Sequence, residues 1–543
     1  MKQLRAVVPA IALLVSTVLT ASPAHAATTT LTVVGTSDVY DSYLVQNVIK
    51  PGFEADHPEY TLNYVSKGTG AAIDYAKQGT AAAMIVHAMS LENQFVADGY
   101  SYEPYGRAIF WGDYVLAGPA DDPAGVLSGG EHDIAAAFEK IAAAGAEDKA
   151  VFVSRGGTPG TTVQEHAIWA MTSGVQTCNV TTADGGGTTP STTTGDCPSI
   201  GSVSKPDWYK ATGKTQAPNI QDADVCNYDQ ATDAGRNVCY VFTDRGTLQY
   251  LQGSGSVTTM TTLTRDNDAT ARGSEAALVN TFHAYVVNPA KFTSSTNTDV
   301  VGATALLDWI TSVKGQAAIG AYQQPDPSFL PSARPEVTVT KPPATVRGGQ
   351  KVTLTGSIAN VVPGMPTLDG VPVHLISTPA AGPGITSTEV ASAFTDASGN
   401  FTLSYVPRTS ATLSVTTGAI TKIEDADLEP DFGDQLQATS TTAGSVTVAA
   451  AVGLTKPKVS RHKITLRGAI APPAGDAKGT VTIWAGKVGG RLKARKSVKL
   501  GTGASAYKAV IHLPRGRWKV RVVYADGMAV TPATSVTRRV RIR

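Results

Sequence analysis

The chain has 543 residues, 45 Lys and Arg against 44 Asp and Glu, and 42% hydrophobic residues. That length exceeds one ordinary domain, and the apolar fraction excludes wholesale disorder. A formal charge of +1 argues at first against a polyanionic partner, although a whole-chain sum hides segments of opposite sign.

In chain order, Lys2 and Arg5, the apolar run at 6–20 and Ala24-His25-Ala26 make up a secretory signal peptide, with cleavage expected after Ala26. The run is short for a membrane span, so a secreted or cell-surface protein is expected. Strands are expected at 31–34, 60–65, 82–86, 113–117 and 150–153. Helices are expected at 42–54, 71–78, 91–97, 134–144 and 162–172. Strands alternating with helices predict an α/β domain over 27–333 with mainly parallel sheets. The Thr/Gly-rich stretch at 177–204 reads as an exposed loop. Cys178, Cys197, Cys226 and Cys239 form an even set, which in an exported chain favours disulfides. Three pairings are open; Cys178–Cys197 and Cys226–Cys239 are preferred because each closes a short loop. Metal binding is disfavoured by the lack of a CxxC motif.

Beyond about residue 334 helical periodicity vanishes. Short alternating runs broken by Gly, Pro, Asn and Asp predict two all-β, immunoglobulin-like sandwiches, at 334–448 and 449–543.

Three stretches of the first domain share one design: a strand, then small hydroxyl or glycine residues, then a helix. They are Gly35-Thr36-Ser37-Asp38-Val39-Tyr40-Asp41-Ser42, Lys67-Gly68-Thr69-Gly70-Ala71 and Ser154-Arg155-Gly156-Gly157-Thr158-Pro159-Gly160-Thr161-Thr162. Helix N-termini present unpaired N–H groups and a partial positive charge. Glycine admits close backbone approach, hydroxyls donate without bulk, and Arg155 adds a full charge in a planar fork. Facing one cleft, the three would bind a small tetrahedral anion; taken singly, each reads as an ordinary cap or turn.

The first domain resembles the substrate-binding proteins of tungstate/molybdate ABC transporters, within the type II periplasmic binding proteins. The residues that carry this include Tyr40-Asp41-Ser42, Gly68-Thr69-Gly70, Val86-His87-Ala88, Asp113-Tyr114-Val115, Ser154-Arg155-Gly156, Trp208-Tyr209-Lys210 and Thr243-Asp244-Arg245-Gly246-Thr247. The resemblance implies two α/β lobes joined by crossover strands near 113–117 and 283–287. It implies an anion in the cleft lined by Thr36, Ser37, Gly68, Thr69, Arg155, Gly160 and Thr161, and delivery to an ABC-transporter permease. No enzymatic activity and no cofactor besides the oxyanion ligand are expected. The chain departs from the family at Gly157, where an Asp is usual, at Pro159, where a Ser is usual, and at Thr162, where a His is usual. Losing a carboxylate at 157 favours fully deprotonated tungstate or molybdate over monoprotonated phosphate, the main competitor. Asp38 and Asp41 weigh the other way unless they are helix caps.

His87 reads as a structural histidine at a strand end, and Arg245 as a structural ion-pair partner of Asp244 or another lobe residue. Trp111, Trp169 and Trp309 read as core. No Gly-x-Ser-x-Gly, His-Glu-x-x-His or Walker motif occurs. Residues 449–543 hold 21 Lys and Arg against Asp476 and Asp526, a net +19, while 27–448 carry a net −20. The tail is therefore expected to meet an anionic cell-wall polymer, and export disfavours nucleic acid. A cell-surface interaction protein working through its β modules is the alternative reading of the whole chain.

Overall fold

Apolar residues at alternate strand positions and on single helix faces set the architecture. A computed structural model of the chain describes residues 28–543 apart from 181–186, 195, 198–202, 229–237, 294–296, 381–385, 426–431, 476–478 and 527–529. The signal peptide expected at 1–26 lies outside the described residues.

The first half of the α/β domain runs β1 (Thr29–Thr36), α1 (Ser37–Asp41), α2 (Lys50–Asp56), β2 (Tyr60–Lys67), α3 (Thr69–Lys77), β3 (Ala83–Val86), α4 (Met89–Ala97) and β4 (Gly106–Pro119). The second half runs α5 (Ile134–Ala146), β5 (Val151–Ser154), α6 (Gly160–Met171), β6 (Thr177–Val180), β7 (Gly187–Pro190), β8 (Tyr209–Ala211), α7 (Gln216–Val225), β9 (Cys239–Asp244), α8 (Arg245–Gly253) and β10 (Met260–Thr264). The chain then returns through β11 (Val279–Val286), α9 (Val300–Thr311), α10 (Val313–Gly320) and β12 (Leu330–Pro331).

One continuous sheet runs through both lobes in the order β2-β1-β3-β11-β4-β9-β5-β8. β1 pairs in parallel with β2 and β3, and β5 with β8 and β9, whereas β11 pairs antiparallel with β3 and β4, and β4 antiparallel with β9. The long strand β4 pairs with β11 through 107–113 and with β9 through 114–117, so it is the crossover between lobes. Alternation places Leu31 and Val33 in one apolar core of the first lobe and Val34 in the other. In the second lobe Phe152 and Val153 divide two cores in the same way.

Three expectations are corrected. The helix expected at 42–54 is broken: Tyr43 is left-handed (φ 64°), 45–49 is π-helical, and α2 begins only at Lys50. Pro51 lacks the N–H that would continue an ordinary helical ladder there. The stretch at 177–204 is not simply an exposed loop, since β6 and β7 pair as a hairpin and bury Thr189 and Cys178. Trp169 and Trp309 are core, whereas Trp111 is only half-buried on β4. Both preferred disulfides are formed, Cys178–Cys197 and Cys226–Cys239.

The middle module comprises β13 (Glu336–Val339), β14 (Thr345–Arg347), β15 (Val352–Ala359), β16 (Pro372–Pro379), β17 (Thr388–Phe394), β18 (Asn400–Tyr405), β19 (Ala411–Thr417), β20 (Ile420–Asp425), β21 (Phe432–Leu436) and β22 (Thr439–Ala449). Sheets β13-β15-β18 and β14-β22-β19-β16-β17 close over a shared core that includes Leu354, Leu403, Leu375 and Val415. Strand β21 leaves this sandwich and pairs in parallel with the start of β4, at Asp434↔Gly106 and Gln435↔Arg107.

The last module comprises β23 (Ala451–Val452), β24 (Lys458–Ser460), β25 (Lys463–Ala471), β26 (Gly479–Lys487), β27 (Lys493–Lys499), β28 (Ala506–His512), β29 (Gly516–Asp526), β30 (Ala533–Thr534) and β31 (Arg538–Ile542). It is a second two-sheet β-sandwich around Ile464, Ile483, Val520 and Tyr524.

Candidate functional site

All three loop-to-helix junctions lie at the line where the lobes meet. Thr36 is the N-cap of α1 and Ser37 its first residue; Gly68 and Thr69 stand in the same relation to α3. Pro159 caps α6, with Gly160 and Thr161 as its first two residues, and its φ of −70° suits proline. None of these three N-caps makes a side-chain cap hydrogen bond. Arg155 follows β5, ahead of two glycines at φ 67° and 69°, a left-handed turn that glycine adopts without strain.

The junctions touch one another. Arg155 Nη2 donates to Ser37 Oγ at 3.0 Å across the lobes. Gly70 N donates to Thr158 O at 3.3 Å, and Gly68 lies against Pro159. Thr36, Ser37, Thr69, Arg155 and Thr161 are all buried. Thr69 Oγ1 has no hydrogen-bond partner among the described residues. Thr161 Oγ1 reaches Gln216 Oε1 at 3.3 Å, and Gln216 Nε2 donates to Thr243 Oγ1. The expected residues thus lie along the contact between the lobes, with Gly160 buried and Gly68 half-buried beside Pro159.

Charge at this locus is unbalanced by design of its surroundings. Asp38 is fully buried, and His87 Nε2 stands 2.8 Å from its Oδ2. Burial pushes the Asp38 carboxyl up, but its contacts with His87, with help from Thr36 and Arg155, bring it down to about 2. His87 Nδ1 lies 2.8 Å from Tyr114 Oη, which donates in turn to Asn280 Oδ1. Burial pushes Asp244 up to about 7, aided by the Asp38 charge. Burial also raises Asp41. Of the three acids whose charges act on Arg155, two thus resist ionising and the third is engaged by His87. Arg155 itself is held below the usual arginine range by burial, against the pull of those acids.

His87 is the structural histidine expected from sequence. Asp41 is a cap, but of α7 in the opposite lobe: its Oδ2 accepts from Ala217 N at 3.0 Å. Arg245 pairs with Asp113, at 2.7 Å, rather than with Asp244. Asp244 instead caps α8 through Thr247 N. Sequence reasoning missed Gln216 and the role of Asp38, because both depend on partners far away in the chain.

Residues 21–314 match the model of the PBP superfamily domain. A protein of Haloferax volcanii named for anion binding in an ABC transporter is 30% identical over 292 residues, spanning 54% of this chain and 68% of that protein. The tungstate-binding protein TupA of Peptoclostridium acidaminophilum is 27% identical over 285 residues, spanning 51% of this chain and 79% of TupA. The solved structure of the tungstate ABC transporter from Geobacter sulfurreducens aligns at 26% identity and TM-score 0.39, covering 54% of this chain and 98% of that one. The first two relatives are named for the binding of an anion and of tungstate. Through its two-lobed N-terminal domain, the chain belongs to the PBP superfamily.

Proposed function

We propose that the first domain captures a tetrahedral oxyanion, tungstate or molybdate, outside the cell and delivers it to an ABC-transporter permease. The observation that carries this reading is the convergence of the N-termini of α3 and α6, neither closed by a side-chain cap, with Arg155, Ser37 and a buried Thr69 hydroxyl that has no partner among the described residues. Backbone N–H groups and small hydroxyls replace the hydration shell of the anion, and Arg155 supplies the countercharge. No bond is made or broken; the lobes close over the ligand and open to release it. The names of the relatives point to the same ligand class. The two C-terminal sandwiches are read as immunoglobulin-like modules that carry this receptor.

Monoprotonated phosphate is the competing ligand. One observation favours it: Asp244 Oδ2 is buried with no hydrogen-bond partner among the described residues and, once ionised above about pH 7, would accept the phosphate proton. Calorimetric titration of the chain with tungstate, molybdate, sulfate and phosphate separates these readings. Tungstate or molybdate is expected to bind in the nanomolar-to-micromolar range. Arg155→Met is expected to weaken binding about 10- to 100-fold, as loss of a charge-assisted contact of about 1.5–3 kcal/mol implies. Preference for phosphate would keep the site and change the ligand; binding of none of the four would overturn the reading.

A further inference from the structure

The outer face of one sheet in the last module carries a strip of cations that the sandwich itself does not require. Strands β27-β26-β29-β31 are consecutive in that sheet. On β29 the residues Trp518, Val520, Val522 and Tyr524 point into the core. Arg517, Lys519 and Arg521 alternate with them and occupy the opposite face. On β31 Val540 and Ile542 face inward, which puts Arg539 and Arg541 beside the β29 cations. The register sets Arg517 directly opposite Arg541 and Lys519 directly opposite Arg539. Arg521 lies opposite Trp484 of β26, its guanidinium 5.7 Å from the indole ring.

Like charges placed directly opposite on a sheet destabilise it. No acid pairs with any of these five cations among the described residues, and Arg521 Nε and Trp484 Nε1 have no hydrogen-bond partner there. The whole module holds only two acids against 21 bases. A Lys or Arg on an edge strand alone would serve as protection against pairing. Strand β29, however, is interior, flanked by β26 and β31.

We infer that this face docks a linear polyanion with phosphate charges along its length. Alternate residues of β29 space their cations by about 6.8 Å, so Arg517 to Arg521 span about 14 Å. The β31 row lies about 4.8 Å to the side. That is a narrow strip suited to one extended chain. Four of the five cations are arginines, whose planar fork matches phosphate oxygens in pairs. Among the described residues no large hydrophobe is exposed on the strands of this face; Val488 and Val536, in the connections next to β26 and β31, are two exposed valines, too little apolar surface for the face to insert into a bilayer. A bound polyanion removes the repulsion between the opposed cations, and that relief adds to the affinity.

The test uses the full chain and long-chain sodium polyphosphate at low salt. The probe variant replaces Arg517, Lys519, Arg539 and Arg541 with Gln; the control replaces Lys458, Lys463, Arg467 and Lys508 on the other sheet. The probe variant is expected to lose at least tenfold in affinity and to show a shallower salt dependence, while the control loses less than threefold. Because the probe variant relieves like-charge opposition, its low-salt thermal midpoint is expected to equal or exceed that of the parent. Equal losses in both variants would show a diffuse charge effect and overturn the assignment. So would absence of polyphosphate binding, or binding only to vesicles of anionic phospholipid.

Discussion

At the scale of single residues, the three acids whose charges act on Arg155 are each held back from it in a different way. Asp38 is ionised but spent on His87, and burial raises Asp41 and Asp244. This makes stability depend on pH in a defined direction. Between the ordinary Asp value of 3.8 and about 7 the folded chain holds a proton on Asp244 that the unfolded chain has lost. The stability of the first domain is therefore expected to fall as pH rises through that window. Asp38 has the opposite sign: its stabilisation is present above 3.8 and disappears as pH falls through about 2. Urea midpoints measured from pH 4 to 8 check this, with Asp244→Asn expected to flatten the decline; an unaltered slope would contradict it. The hydroxyl, glycine and arginine residues of the site were legible in the sequence because their chemistry sits in three short runs. The acids were not, because burial, which no local pattern reveals, decides whether Asp38 and Asp244 ionise. Gly157 shows a second kind of information: with φ at 69° it completes a left-handed pair with Gly156, so this departure from the family pattern fits the turn that follows Arg155.

At the scale of elements, the site depends on how closely α6 approaches the first lobe. A Cβ at Gly160 would overlap the carbonyl of His87 and its ring. Gly160→Ala is accordingly expected to lower anion affinity at least tenfold by holding the lobes apart, while the fold is retained. Solution scattering of the variant with saturating tungstate is expected to give a larger radius of gyration than the parent under the same conditions; an identical radius and affinity would contradict this. Most helices and strands followed from apolar periodicity, since a packed face leaves that imprint on sequence. Strand β4 extends from 106 to 119, well past the expected 113–117, because its two halves pair with different lobes and no single local period describes both. The π-helical turn at 45–49 was hidden for a similar reason: its helical apolar spacing is preserved while the hydrogen bonds shift around Pro51.

At the scale of the whole molecule, near-neutrality is the cancellation of a −20 receptor with its middle module and a +19 tail. On the proposed reading the small anion is drawn in by local donors against the −20 charge of 27–448, while the tail presents a separate cationic face. The first domain and the middle sandwich are joined through a buried cluster. His283 stands 2.7 Å from Glu92 through Nδ1 and 2.7 Å from Asp434 of the middle module through Nε2. Tyr285 Oη also donates to Glu92. Burial opposes protonation of His283, but Asp434 and Glu92 together hold its pKa well above the ordinary 6.5. The stabilisation is therefore complete below 6.5 and lost as pH rises through the folded value. Removing one partner of such a buried pair costs about 3–5 kcal/mol. Asp434→Asn is thus expected to lower the thermal midpoint of the chain at pH 6, and an unchanged midpoint would remove the cluster from the account. The docking of β21 on β4 left no trace in local sequence, because it is a contact between modules more than 300 residues apart.

Tungstate held between α3, α6 and Arg155, as proposed, is heavy enough to be located directly. Crystals of the tungstate-soaked chain measured at the tungsten absorption edge are expected to show one dominant anomalous peak, ringed by Arg155, Ser37, Thr69 and the first N–H groups of α3 and α6. A peak elsewhere in the molecule, or none at this locus in crystals holding the anion at saturating concentration, would contradict it.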